Sequence, residues 1–305
     1  MKKLLFFALL TCLLPGMGVL LINSSPNYVG TFFEASPTLN QSLFVMGSND
    51  GVTWSQIPAP AYTPCGIMVR DPSIAYDPAT QKYFLVHTNN DPSTSFDFAS
   101  SLDGKTWTCI RQISLSAVLT GTNTGTWAPE WVHNPDGSMW RDTNGTPHVL
   151  VAVSSNESGD VGFAFYEVHP TSADFTQWST PVAIATGSLP NNTIDNYVVV
   201  VGETFYLFYK NETTKYIELA TASELLGPYT VIQSGNWAGW GSFMEGASVI
   251  LISPNTWRIY LDNQGAGIYY SESTSGLNTT AWSAKALING PFTMQHGTVV
   301  FNPLH

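Results

Sequence analysis

Charge is scarce in this 305-residue sequence: Asp, Glu, Lys and Arg together make up 11% of it, less than the 13% supplied by Phe, Trp and Tyr. Positive charge is scarcer still. With 11 Lys and Arg against 22 Asp and Glu the net charge is −11, and a surface of that sign repels polyphosphates, so no nucleic acid partner is expected. Beyond the first residues no run is long and apolar enough to cross a bilayer. No segment there sustains a 3.6-residue apolar period either, which leaves little room for helix. The three cysteines are Cys12, Cys65 and Cys109.

The N-terminus reads Met1-Lys2-Lys3, an apolar stretch from Leu4 to Leu14, then Pro15-Gly16-Met17-Gly18. Charge, length and small residues at the cut describe a secretory signal peptide over residues 1–18. A membrane anchor fits less well, because the run is short and broken by Pro15 and Gly16. Cleavage leaves nine basic against 22 acidic residues, a net charge of −13, and a secreted chain of residues 19–305, expected as one domain, monomeric and free of the membrane. It retains Cys65 and Cys109, most simply one disulfide in an oxidising compartment. Glycosylation sequons at Asn23, Asn40, Asn144, Asn156, Asn191, Asn211 and Asn278 suit a secreted glycoprotein. A polar surface with little charge and many aromatic rings suits neutral sugars, whose C–H faces stack on rings while their hydroxyls meet amides and carboxylates.

Strand signals dominate. Tyr28 to Glu34, Ser42 to Gly47, Lys82 to Thr88, His148 to Ser154, Thr204 to Tyr209 and Trp257 to Leu261 are short, rich in aromatic or β-branched residues, and bounded by Gly, Pro, Asn and Asp. Ser48-Asn49-Asp50-Gly51-Val52-Thr53-Trp54 and Ser101-Leu102-Asp103-Gly104-Lys105-Thr106-Trp107 are near copies, with weaker echoes ending at Trp178 and Trp282. Asp-Gly sets a tight turn and the Trp starts a strand, so these four tryptophans are read as packing residues. Out of phase with them, Asp71, Glu130, Asp195, Glu245 and His296 each precede a strand-like apolar run. A unit near fifty residues with four short strands predicts an all-β, five-bladed β-propeller, four strands per blade. Only nine residues follow His296 while three strands precede Asp71, so the last blade is expected to close by pairing the C-terminal inner strand with the N-terminal strands. A β-sandwich is the alternative.

In a propeller the five charged positions would be equivalent and would meet at one mouth. Clustered carboxyls carry a cost in repulsion and desolvation that chemistry would justify. Paired carboxyls suit glycoside hydrolysis, in which one protonates the leaving oxygen and another activates water.

The motifs Arg70-Asp71-Pro72-Ser73-Ile74, Trp127-Ala128-Pro129-Glu130, Ile194-Asp195, Met244-Glu245-Gly246 and His296-Gly297-Thr298, in that order from about residue 28 to 302, resemble the family 43 glycoside hydrolases. That family consists of secreted or periplasmic five-bladed propellers acting on arabinose- and xylose-containing polysaccharides. The resemblance implies an inverting mechanism with Asp71 as general base, Glu245 as general acid and Asp195 holding Glu245 protonated. It implies an oligosaccharide or polysaccharide substrate and no required cofactor, with a structural calcium near His296 as an expectation. Ala247, Asn196 and Gln295 depart from the pattern beside the catalytic groups and touch substrate choice more than reaction class.

Glu130 is open to two readings, a hydroxyl contact or a brace of the Trp-Ala-Pro turn. His296 is either near that central ion or water, or a neutral packed residue. Trp127, Trp131, Trp237 and Trp240 are candidate sugar-stacking residues, and Lys210 is read first as an exposed strand-end lysine and second as a contact to a substrate hydroxyl. The preferred activity is an exo-acting α-L-arabinofuranosidase, ahead of β-xylosidase, endo-arabinanase and exo-galactanase. From other classes come a non-catalytic carbohydrate-binding propeller and a calcium-stabilised adhesion module.

Overall fold

The computed structural model describes residues 25–34, 42–119, 121, 124–155 and 162–304. The expected signal peptide and the sequons at Asn23, Asn40 and Asn156 lie outside the described residues. Within them the chain is all-β, twenty strands without a helix. Strands β1 (Tyr28–Phe33), β2 (Leu43–Ser48) and β3 (Ser55–Gln56) come first. Four complete antiparallel units follow. They are β4 (Arg70–Asp77), β5 (Lys82–Thr88), β6 (Ser95–Ser101) and β7 (Thr108–Ser114); β8 (Gly125–His133), β9 (Val149–Ser154), β10 (Ala164–Val168) and β11 (Val182–Ala183); β12 (Thr193–Val201), β13 (Thr204–Asn211), β14 (Tyr216–Ala222) and β15 (Thr230–Gln233); and β16 (Glu245–Ser253), β17 (Thr256–Asp262), β18 (Ile268–Ser273) and β19 (Ala286–Leu287). The last strand, β20 (Gln295–Phe301), pairs antiparallel with β1 and completes a sheet in the order β20-β1-β2-β3. The expected strand boundaries hold to within about two residues.

The first strand of each complete unit, and β20 in the fifth, are buried over most of their length on both faces. That is why they read as continuous apolar runs such as Val198–Val201 rather than alternating ones. Three of the outermost strands, β3, β11 and β19, have two exposed residues each, which blunts those sheet edges. Five hydrophobic cores lie between consecutive units, and each draws from two of them. Ile74 and Leu85 pack with Val29 and Val300, Val86 and Phe98 with Trp131 and Val151, and Leu150 with Val198 and Leu207. Tyr197 and Phe208 pack with Val249 and Ile259, and Ile250 and Tyr260 with Phe32 and Val299. The order returns to its start. One pairing was not anticipated: Val132 and His133 of β8 pair in parallel with Val198 and Val199 of β12, joining two units into an eight-stranded sheet.

The near-copy turns are alike in bonding. Oδ1 of Asp50 accepts from the N–H of Val52 (2.8 Å) and Thr53 (2.7 Å), and Oδ1 of Asp103 from Lys105 (2.8 Å) and Thr106 (2.7 Å). Trp54, Trp107 and Trp282 are buried and Trp178 stands edge-on to Phe98, as packing residues. Cys65 and Cys109 form a disulfide with Cα atoms 5.8 Å apart. Asn211 is buried and its amide donates to Glu218, so the folded chain does not offer that sequon for modification, whereas Asn144, Asn191 and Asn278 are exposed.

Candidate active site

Each inner strand carries a β-bulge near its start. The ladder breaks between Arg70 and Ser73, Trp127 and Glu130, Ile194 and Tyr197, Glu245 and Ser248, and between Gln295 and Thr298. Aligned on these bulges, the equivalent residues are Asp71, Ala128, Asp195, Gly246 and His296. This corrects the equivalence expected from sequence, since Glu245 stands one residue earlier and Glu130 two later. A charged residue before an apolar run marks a strand, but a bulge inserts an unpaired residue and so hides the register. Asp71, Ala128 and Asp195 have φ of 50°, 47° and 55°. Left-handed backbone at residues other than glycine costs on the order of 1–3 kcal/mol each, held here by the packed strands on either side.

Three of the bulge residues, Asp71, Asp195 and His296, line a cavity of about 470 Å³. Glu245 lines it too, with Arg70, Asp91, Trp127, Phe163, Lys210, Glu212, Lys215 and Gln264 among the other walls. His296 is the hub: its Nδ1 is 3.2 Å from Asp71 Oδ1 and 4.0 Å from Asp195 Oδ1. Its backbone N–H donates to Asp262 Oδ2 at 2.9 Å. Its ring lies so close to Gly246 that a Cβ there would come within 2.5 Å of it, and Gly246 itself has φ of 58°. Only glycine fits beside the general-acid candidate.

Electrostatics separates Asp71 from Asp195. Burial pushes Asp71 up, but the His296 charge and hydrogen bond, Arg70 and the Thr88 hydroxyl (2.9 Å) outweigh it and bring its pKa down to about 2. For Asp195 burial dominates, opposed by His296 and Lys210 and reinforced by Glu245 and Asp71, and its pKa rises to about 7. Burial works against a charged His296, yet Asp71, Asp195 and Glu245 raise it to about 10, making it an imidazolium. The neutral packed histidine is thereby overturned. Glu245 Oε2 accepts from Lys210 Nζ at 2.6 Å and from Gln264 Nε2 at 2.9 Å, so one oxygen is engaged while neither of these bonds uses Oε1. Lys210 is buried, not the exposed strand-end lysine expected, and also pairs with Glu212 at 2.6 Å.

Several expected substrate contacts are corrected. Glu130, two residues past the bulge position, lies beneath the cavity and off its wall. It accepts from Ser73 (2.5 Å), His133 (2.9 Å) and Thr298 (3.0 Å), so it braces the strands. Trp131 is fully buried beside Phe98 and Trp178. Trp237 and Trp240 form an edge-on pair that caps the core against Trp282, because their Gly-rich loop folds back over that core. Trp127 does line the cavity, and the Arg70 guanidinium lies 4.8 Å from its ring.

Thr88 and Asp262 were missed, as was the burial of Lys210. Each lies at or next to the end of the second strand of a unit, and antiparallel register sets it opposite a cavity-lining residue, Lys210 opposite Ile194, Thr88 opposite Arg70 and Asp262 opposite Glu245. The legible signal was a polar residue ending an apolar strand, as in Tyr209-Lys210 and Leu261-Asp262. Asp262 is buried, and burial with the nearby Glu245 charge raises its pKa to about 7.

The side chains around His296 do not fit a calcium shell. Its charged ring faces Asp71 and Asp195 as their counter-ion, and among the described residues the two triads with metal-ligand spacing lie elsewhere. Calcium asks for six to eight oxygen ligands, and a centre already holding the His296 charge repels a further cation.

A family model for a probable glycosyl hydrolase domain, related to family 43, matches residues 67–302. No curated protein sequence matches the chain. Among solved structures, an endo-1,4-β-xylanase from Bacteroides thetaiotaomicron aligns with a TM-score of 0.57 at 13% identity, over 89% of this chain and 93% of that one. An endo-arabinase from the same organism aligns at 0.54 and 15% identity, over 77% and 94%. An α-L-arabinofuranosidase from Lactobacillus brevis aligns at 0.50 and 14%, over 72% of each chain. At these identities the likeness is one of fold.

Proposed function

The chain belongs to the family-43-related glycosyl hydrolases, and from that premise we propose that it is a secreted inverting glycosidase of arabinose- or xylose-containing plant cell-wall polysaccharide, with exo-acting α-L-arabinofuranosidase as the preferred activity. The carrying observation is that Asp71, Asp195 and Glu245 share one cavity wall with the His296 imidazolium. We further propose that the five units are blades of one closed propeller of four strands each. The pairing of β20 with β1 and the five cores shared in ring order support it.

In the proposed cycle Asp71 accepts the proton of the attacking water while Glu245 Oε1 protonates the departing glycosidic oxygen. The imidazolium keeps Asp71 ionised throughout the neutral range, at some cost in basicity. Asp195, whose pKa burial raises to about 7, is the proton reservoir beside the acid. Trp127 offers an aromatic wall and Gln264 fixes the acid from the other side. Inversion asks for carboxyl groups roughly 6.5–9.5 Å apart, leaving room for water.

Incubation with p-nitrophenyl arabinofuranoside, p-nitrophenyl xyloside and debranched arabinan tests the activity, with anomeric configuration followed by NMR. Release of pentose with inversion, reduced at least about 100-fold in Asp71→Ala and in Glu245→Gln, is the expected result. Turnover at the wild-type rate in either variant rejects the assignment. Binding of arabinan without hydrolysis would instead favour the carbohydrate-binding reading.

A further inference from the structure

We propose that His148, Glu167 and His169 form a binding site for one divalent metal ion of the zinc class, on the face of the molecule opposite the catalytic cavity. The site is independent of the glycosidase chemistry.

Register brings the three together. Val149 pairs with Val168 and Leu150 with Glu167, so His148, just before β9, faces His169, just after β10. Side-chain alternation then sets all three on one side of the sheet. Val149 also pairs with Trp131 near the end of β8, whereas the start of β8, at Trp127, lines the cavity. The cluster thus stands at the far end of the same unit.

The donor set has the composition and spacing of a metal site. The two imidazole nitrogens and the carboxylate oxygen lie within 4.8 Å of one another. Glu167 Oε1 is 2.6 Å from His148 Nδ1 and 2.9 Å from His169 Nδ1. A carboxylate only accepts, so in this arrangement both Nδ1 atoms carry the proton. An ion bound at about 2.0–2.1 Å from each ligand needs the three atoms about 3.3 Å apart, an opening of less than about 1 Å. Two imidazoles and one carboxylate favour zinc, copper, nickel or cobalt over calcium or magnesium.

An independent observation points to the same ion. His148 Nε2 is buried and has no hydrogen-bond partner, although Asp142 Oδ2 lies 3.6 Å away. An ion on Nδ1 moves the ring proton to Nε2, turning that orphan into a donor that faces a carboxylate. This is the outer-shell support that metal-bound histidines ordinarily have. The frame is fixed: His148 O accepts from Val132 N (3.0 Å), and His169 exchanges bonds with Ser179 at 3.0 and 2.8 Å. The His169 side chain is 31% exposed, so solvent reaches a fourth coordination position.

The test titrates the full chain, after dialysis against chelator, with zinc chloride by calorimetry and thermal denaturation, alongside His169→Ala and Asp142→Asn. One zinc per chain is expected, raising the unfolding midpoint by about 5–10 °C at a hundredfold excess over Kd. His169→Ala should lose this binding while keeping wild-type glycosidase activity, and Asp142→Asn should weaken it about 10- to 100-fold. Cobalt(II) added to the wild-type chain should give visible absorption of a tetrahedral nitrogen and oxygen site, a readout that needs no variant to fold. Absence of stoichiometric zinc binding, equal binding by His169→Ala, or an equal response to calcium would overturn the site.

Discussion

Replacing Lys210 with methionine keeps the aliphatic stem and removes the charge that joins Glu245 to Glu212. The lysine is 4% exposed and its Nζ is 2.6 Å from each carboxylate. Breaking a buried ion pair by deleting one partner costs about 3–5 kcal/mol, because the other charge is left buried. Two features relieve that cost: Glu212 keeps its pair with Lys215, and the Glu245 side chain is 20% exposed. The lower bound, about 3 kcal/mol, is therefore expected, and at about 2–4 °C per kcal/mol the unfolding midpoint falls by about 6–12 °C. Chemistry should change with it. Lys210 is one of the influences holding the Asp195 pKa down, so without it Asp195 keeps its proton to higher pH and the alkaline limb of kcat/KM moves up. Calorimetry and a pH profile on p-nitrophenyl arabinofuranoside measure both. A loss below about 1 kcal/mol, the value of an exposed pair, together with an unmoved limb, would refute the role given to this lysine.

Gly246→Ala should cut kcat on the order of 100-fold by pushing His296 out of place, since the new Cβ would sit 2.5 Å from its ring; unchanged steady-state kinetics would contradict this. Trp131→Ala should cost about 3–5 kcal/mol of stability in thermal unfolding with KM unchanged, whereas Trp127→Ala should raise KM for arabinan in Michaelis kinetics. Stability should peak on the acid side of neutrality. The Asp71 contribution is present above its unfolded pKa of 3.8 and is lost as pH falls through about 2. Asp195 and Asp262, raised to about 7, favour the folded state least once ionised, so stability declines as pH rises from 3.8 through 7. The His296 contribution is full below 6.5 and is lost as pH rises through about 10. From these groups a maximum of the unfolding midpoint at about pH 3.5 is expected from calorimetry across pH 2–10.

The strands and their order were legible because inner strands buried on both faces leave continuous apolar runs, and because the Asp-Gly-x-Thr-Trp turns repeat. What sequence could not supply was register. Glu130 and Asp71 look alike as acids before apolar runs, yet two residues along a strand separate a cavity wall from a buried brace bonded to Ser73 and Thr298. Trp131, Trp237 and Trp240 misled for a related reason: aromatic character is the same in a core as at a sugar-binding wall, and only their place relative to the cavity tells them apart. Lys210 was misjudged because its partners, Glu212 and Glu245, meet it only after the strand returns.

The acid cluster is sustained because its cations are placed one by one rather than spread over the surface. Of the chain's 11 Lys and Arg, three line this one cavity, Arg70, Lys210 and Lys215, and His296 adds a fourth charge. His296 takes Asp71, and Lys210 takes Glu245 and, with Lys215, Glu212. Asp195 is left without a hydrogen-bonded cation, its nearest being His296 at 4.0 Å. Burial then outweighs the pull of His296 and Lys210, neither of which is hydrogen-bonded to it, which is why this carboxyl, and not Asp71, keeps a proton near neutral pH. The division into an ionised base and a protonated neighbour of the acid follows from which carboxylate each cation reaches, not from any difference between the aspartates themselves.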